Sequence, residues 1–398
     1  MEWKRFPRWI ATAFSTLIMI EVLIMVSPFA AYWYSFYSPT LQDLHRSRWT
    51  AWLESFFLPH AAISNSAFLE TLRWTIGPYM FSLGILGFLA FAGQIYSSKL
   101  RKKGVVQGGV YRYIRHPQYL CLAIAGFGLI THWPRMIILV FYLLMLIAYY
   151  LLARSEERRM MSAYPSYADY VRNTFMFLPG SPGKHLRNLM FGWVRKPALS
   201  IALCCVTGFA VSLGGGFALR EYTIRHVARA PLPQERVLAV AIWPQDASRA
   251  DIAGITQNVL RDPEIASQMQ KEGQASYFAH LLPGDYGMVN MFANVNQRTM
   301  TPEFTAARFQ YLIRYLFPFV GENPRYRPMG HPGQDQIKLI LSRVDKPTDN
   351  QIPLDAVWDA NAKMTPVAMV DLDWNGKILK RGDPGRRSVW GPITMPVF

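Results

Sequence analysis

Residues 119–153, YLCLAIAGFGLITHWPRMIILVFYLLMLIAYYLLA, decide how this chain is built. Two apolar runs, Tyr119–Trp133 and Met136–Ala153, meet at the short polar break His132-Trp133-Pro134-Arg135. A helix needs roughly 20 apolar residues to cross a bilayer core. The second run approaches that length, while the first is short and reads as a tilted or partly interfacial helix. A break of this size permits only a tight antiparallel helical hairpin. Outward from it lie further runs at Trp74–Tyr96, Ala198–Leu219 (with Gly214-Gly215-Gly216 near its end) and Ile10–Tyr34. The last contains Glu21, a charge expensive at mid-bilayer and so either functional or paired with a polar group in another span. Lys4, Arg5 and Arg8 precede it, no small-residue cleavage site ends it, and a retained anchor is expected rather than a signal peptide.

The expected fold class is a polytopic α-helical membrane protein of about five transmembrane helices with a C-terminal soluble α+β domain. Residues 1–219 form the membrane part and 220–398 the soluble part. Lysine and arginine crowd the segments 99–115 and 154–196, which the positive-inside tendency assigns to the cytosol with the N-terminus. Five spans then place residues after Arg220 on the extracytoplasmic side. The net charge is +16 and the mean hydropathy only +0.08, as expected of a mixed membrane and soluble chain. Because the cations flank apolar runs, they suit anionic lipid headgroups, and no nucleic-acid partner is expected. Cys121, Cys204 and Cys205 all sit in apolar runs, with no metal-binding spacing.

In the polar C-terminal part, Arg236–Trp243 and Gln336–Val344 read as strands, and Arg249–Lys271 and Thr301–Phe319 as helices. Val367–Asp371 and Lys377–Lys380 flank Asn375-Gly376, a signal for a type I′ hairpin, with Asp371 and Asp373 in turn roles. His280 and His331 read as ordinary surface or loop residues.

Chemistry concentrates just before the hairpin, in GGVYRYIRHPQY at residues 108–119. Pro117 keeps His116 out of helical geometry, on an extended corner. Across the hairpin the chain returns with Arg154-Ser155-Glu156-Glu157, so cations, an imidazole and two acids from distant segments share one rim. Arginines 112 and 115 can bind a carboxylate, Glu156 or Glu157 can accept from hydroxyls or an ammonium, and tyrosines can pack on an adenine or sulfonium. These are the functional groups that S-adenosylmethionine presents. Taken singly, each has a plainer reading: positive-inside anchors for Arg112 and Arg115, a solvated helix face for the glutamates, and packing for Tyr164, Tyr167 and Tyr170.

The order of these elements resembles the isoprenylcysteine carboxyl methyltransferase and phospholipid N-methyltransferase superfamily. The resemblance covers about residues 96–180: the glycine- and tyrosine-rich turn, Arg115-His116-Pro117-x-Tyr119, the hairpin, Glu156-Glu157, Tyr167-x-x-Tyr170 and Leu178-Pro179. It implies a membrane methyltransferase with S-adenosylmethionine as cofactor. His116, Tyr119, Glu156 and Glu157 would line its site, with Arg112 or Arg115 assisting. The isoprenylcysteine enzymes carry Arg-Val-Pro after the second tyrosine. Here Asn173-Thr174-Phe175 follows, so either Arg172 or Arg115 acts beside the methyl acceptor, or the acceptor differs. The expected partners are membrane lipid, a lipid-phase methyl acceptor and a possible protein partner of the C-terminal domain. Two rival readings stand beside this one: an NADPH-dependent reductase of the related sterol reductase type, and a non-catalytic anchor presenting the C-terminal domain.

Overall fold

The computed structural model describes residues 44, 47–59, 64–101, 105–241, 248–271, 275–283, 310, 313–321, 336–345, 358 and 363–382. The expected first span with Glu21, and His331, lie outside these residues, as does most of the expected helix Thr301–Phe319.

From residue 67 the helices are α1 (Ala67–Leu100), α2 (Pro117–His132), α3 (Met136–Ala163), α4 (Tyr167–Asn173), α5 (Pro182–Phe191) and α6 (Pro197–Arg225). Among the described residues three helices, α1, α3 and α6, are long and apolar enough to cross a membrane. Of the about five spans expected, three are found among the described residues, and the first lies outside them. Helix α2 has 16 residues. At about 1.5 Å per residue it rises about 24 Å, short of a full hydrocarbon core. Gly214-Gly215-Gly216 lie inside α6 and do not end it. In hydrocarbon no water competes for backbone hydrogen bonds, so glycine loses most of its power to break a helix.

Two compact units make up the chain. The first contains Leu83–Phe127 and Ile137–Ser212. There α1 and α2 approach closely through Gly84, where an added Cβ would lie 2.5 Å from the Ala125 backbone nitrogen. Small residues of this kind let membrane helices pack backbone to backbone. Tyr142 donates from α3 to the Ala123 carbonyl of α2 at 3.1 Å, tying the two arms of the hairpin together.

The second unit contains the described parts of Pro39–Ser82, Gly128–Met136 and Leu213–Phe398. Its sheet comprises β1 (Arg229–Leu232), β2 (Val237–Ala241), β3 (Ser276–Pro283), β4 (Ile337–Asp345), β5 (Lys363–Leu372) and β6 (Ile378–Gly382), ordered β1-β2-β3-β4-β5-β6. Only β2 and β3 pair in parallel. Parallel neighbours need a crossover, supplied by α7 (Arg249–Leu260) and α8 (Pro263–Lys271). Ile252, Ile255 and Val259 of α7 pack on Val237, Ala239 and Leu281 of the sheet. A reciprocal capping box between Ser248 and Asp251 starts α7.

The single helix expected over Arg249–Lys271 breaks at Arg261-Asp262, where Asp262 Oδ1 accepts from the Glu264 and Ile265 amides. Pro263 then opens α8, the position where proline is best tolerated. The β5–β6 connection is also not type I′, because only Gly376 has a positive φ, of 78°. Asp373 accepts from the Asn375 and Lys377 amides and bonds through its backbone to Gly376 and Lys377. That is a type I turn closed by a left-handed glycine. Asp371 does not serve the turn; it pairs across strands with Lys338 at 2.5 Å. His280 is buried within β3 rather than in a loop.

Candidate active site

Pro117 opens α2 and leaves His116 on an extended corner. That corner is held by a short parallel bridge to the chain after α4. Phe175 donates to the Tyr113 carbonyl at 2.8 Å, Arg115 to Phe175 at 2.8 Å, and His116 to Met176 at 3.1 Å. The imidazole is thereby fixed by backbone on both sides.

Glu156 and Glu157 arrive from the far arm of the hairpin, near the end of α3. Consecutive helical residues point about 100° apart. Here the imidazole sits between them: His116 Nδ1 lies 3.3 Å from Glu156 and Nε2 3.5 Å from Glu157. These are ion-pair distances without the alignment of a hydrogen bond, and both buried ring nitrogens have no hydrogen-bonded partner among the described residues. Tyr119 donates to Glu156 Oε1 at 2.5 Å and packs its ring on Tyr149. Phe177 closes another side of the imidazole, with ring centroids 6.0 Å apart.

Arg115 turns the other way. Its Nε donates to Glu157 at 2.6 Å, and its Nη1 reaches the Val171 carbonyl at 3.0 Å, the Thr174 hydroxyl at 3.1 Å and the Thr174 carbonyl. It therefore neutralises one glutamate and satisfies carbonyls at the C-terminal end of α4, where cations are favoured. Tyr170 of α4 donates to the Tyr111 carbonyl at 2.5 Å, fastening the same helix to the loop before His116.

Burial works against a charge on His116, but the facing carboxylates of Glu156 and Glu157 outweigh it and raise its pKa above the ordinary histidine value. Burial and then the nearby Glu157 raise the Tyr167 phenol, while Tyr170 is pushed up to about 12, chiefly by burial. With His116 protonated, Glu156, Glu157 and Arg115 sum with it to neutrality. Without that proton the cluster is one charge negative. The Glu156 side chain is 20% exposed and the Glu157 side chain 3%, so Glu156 forms the open edge. Among the described residues no histidine, cysteine and acid group is arranged to hold a metal ion.

The structure brings together Arg115, His116, Tyr119, Glu156 and Glu157. It does not bring Arg172 or Arg112 to them. Arg172 is a surface residue, its side chain 77% exposed and paired with Asp169 at 3.3 Å. Arg112 is exposed at the end of a turn of 3₁₀ helix at Gly109–Arg112, in which Tyr111 is buried. Sequence reasoning missed Thr174 and Phe177, whereas the buried Tyr167 agrees with the packing expected of it. Thr174 occupies the stretch that departs from Arg-Val-Pro.

Residues 73–169 match the family model described as phospholipid methyltransferase. That segment is similar to the phospholipid methyltransferase family. It contains every member of the cluster, whereas the 170–177 stretch that Arg115 and His116 lean on lies beyond it. The cobalt-zinc-cadmium resistance protein CzcN of Cupriavidus metallidurans is 34% identical over 117 residues, covering 27% of this chain and 54% of that protein. The chain thus spans about half the length of this curated relative. No solved structure matches.

Proposed function

We propose that this chain is a membrane methyltransferase that uses S-adenosylmethionine to methylate a lipid or lipidated acceptor. The observation that carries the reading is His116 seated between Glu156 and Glu157 within the segment of phospholipid methyltransferase type. The residues fit the cofactor's chemistry. S-adenosylmethionine bears one carboxylate, one ammonium and one sulfonium, a net positive charge. The open edge of the cluster is the Glu156 carboxylate, whose side chain is 20% exposed.

When bound, S-adenosylmethionine would supply a methyl group on sulfur that is open to in-line displacement. The chain's own residues do the rest. Glu156 accepts from the ligand's hydroxyls or ammonium, oriented by the Tyr119 hydroxyl. When His116 carries its second proton, two adjacent carboxylates remain ionised together. Arg115 positions Glu157 and is not itself a ligand. Arg112 and Arg172 lie outside the cluster, Arg172 paired with Asp169. Positioning of this kind can contribute about 7–11 kcal/mol to a displacement. A carboxylate acceptor needs no base, and an amine acceptor needs only to arrive neutral.

The same reading makes residues 1–219 a multi-pass part with the site on the cytosolic face. Residues 220–398 form an extracytoplasmic α+β domain offering a surface to a protein partner. The lysine- and arginine-rich stretches 99–115 and 154–196 support this orientation. The test is calorimetric binding of S-adenosylhomocysteine to the purified protein in detergent. Binding is expected in the unaltered protein, reduced at least tenfold by Glu156→Gln and by His116→Ala. A folded protein that binds no S-adenosylhomocysteine would refute the reading.

A further inference from the structure

Helix α5 carries an apolar face that the described residues of its own unit do not cover. Leu186, Leu189 and Met190 fall within about a 100° arc of the helix. They are exposed to 52%, 84% and 39%. Trp193, 77% exposed, follows directly, with its indole N–H donating to the Met190 carbonyl. Lys184 stands on the opposite arc and Arg187 beside the apolar one, and Arg195 and Lys196 follow before α6 begins at Pro197. No acidic residue occurs between Asp169 and Glu221. Gly180 and Ser181 both take left-handed backbone angles, and Pro182 then opens α5, so the chain turns a sharp corner into it.

A single exposed leucine needs no explanation. Three apolar residues and a tryptophan on one arc, with cations beside and opposite it, form the pattern of a helix lying in a membrane interface. The placement agrees, because α5 ends six residues before a helix able to span the bilayer. A second copy of the chain is the poorer occupant. It would face these cations with its own, and no acid in the whole 170–220 stretch answers them.

We infer that α5 and Trp193 lie flat on an anionic lipid surface. Leu186, Leu189 and Met190 enter the acyl boundary, and Lys184, Arg187, Arg195 and Lys196 meet the phosphates. Phe177, which touches His116, is five residues before Pro182, so α5 begins at most about 18 Å from it. The inference stands independently of methyl transfer.

The test uses the full chain in nanodiscs with the photoreactive p-benzoylphenylalanine in place of Leu189, in phosphatidylcholine alone and mixed with phosphatidylglycerol. Light should give a lipid-mass adduct at position 189, enriched in phosphatidylglycerol beyond its share of the bilayer. The same label at Asn188, on the polar arc, should give little. Removing cations with Lys184→Gln and Arg187→Gln should lower the phosphatidylglycerol preference roughly fivefold each. A chain-to-chain cross-link would overturn the inference in favour of a dimer contact, and adducts indifferent to lipid charge would overturn the anionic surface. Should the labelled variants fail to insert, hydrogen exchange of residues 182–196 in the unaltered protein decides the matter. Protection must rise when phosphatidylglycerol is added, and unchanged protection sinks the inference.

Discussion

Replacing Arg115 by alanine is the sharpest test of how the cluster is held. Its guanidinium meets Glu157 at 2.6 Å, and the two side chains are 7% and 3% exposed. Removing one partner of a buried pair leaves an uncompensated charge, which costs about 3–5 kcal/mol. The contacts to Val171 and Thr174 are lost as well, at about 1 kcal/mol each. Set against a typical stability of about 5–15 kcal/mol, Arg115→Ala should leave the unit marginal. Arg115→Lys should cost less, since it keeps the charge but loses the fork. The decisive variant is Arg115→Ala combined with Glu157→Gln, which removes the stranded charge together with its partner. Unfolding in mixed micelles, followed by far-ultraviolet circular dichroism, should show the double variant at least about 2 kcal/mol more stable than the sum of the single losses predicts. Neighbours that share no interaction add to within about 0.5 kcal/mol. Additive losses would show that Arg115 does not hold Glu157, and its positioning role would fall.

Other outcomes follow from the same geometry. His116 has a raised pKa, so the stability it contributes is fully present below the ordinary value of about 6.5 and is lost as pH rises through its folded value. The melting temperature of the unaltered protein should therefore fall as pH is raised above about 6.5, and His116→Gln should flatten that slope; equal slopes would exclude the linkage. Gly84→Leu should destabilise the hairpin by more than the roughly 1–3 kcal/mol of ordinary overpacking, because the obstacle is the Ala125 backbone rather than a movable side chain. The protein's resistance to denaturing detergent reports this directly. Asp371→Ala strands Lys338, whose side chain is 6% exposed, and should lower stability by about 3 kcal/mol, whereas Asp371→Ala with Lys338→Met should recover most of the loss.

Part of this molecule was legible because the bilayer leaves a chain few choices. A tight break between two apolar runs forces an antiparallel return, and His116 and Glu157 both lie roughly twenty residues from that break. At about 1.5 Å per residue, the two helical arms bring them to one level. Their meeting follows from counting along helices, and it needed no knowledge of side-chain partners. What the sequence hid were contacts whose acceptors carry no residue identity. Arg115 and Arg172 look alike as letters, yet one is committed to backbone carbonyls of Val171 and Thr174 and the other stands in solvent beside Asp169. Any residue offers a carbonyl, so no pattern marks where an arginine will cap a helix end. The sheet hid its details for a related reason. Asn375-Gly376 suits two hairpin geometries, and the choice fell to the Asp373 carboxylate accepting from two amides beyond it. His280 became a buried residue only once β3 was enclosed between β2 and β4. β2 is about 35 residues away and β4 about 55, too far for a local pattern to record. Helical registry over short connections is therefore the part of a membrane protein's site that a sequence states outright. The second layer that fixes it depends on backbone groups, and has to be seen.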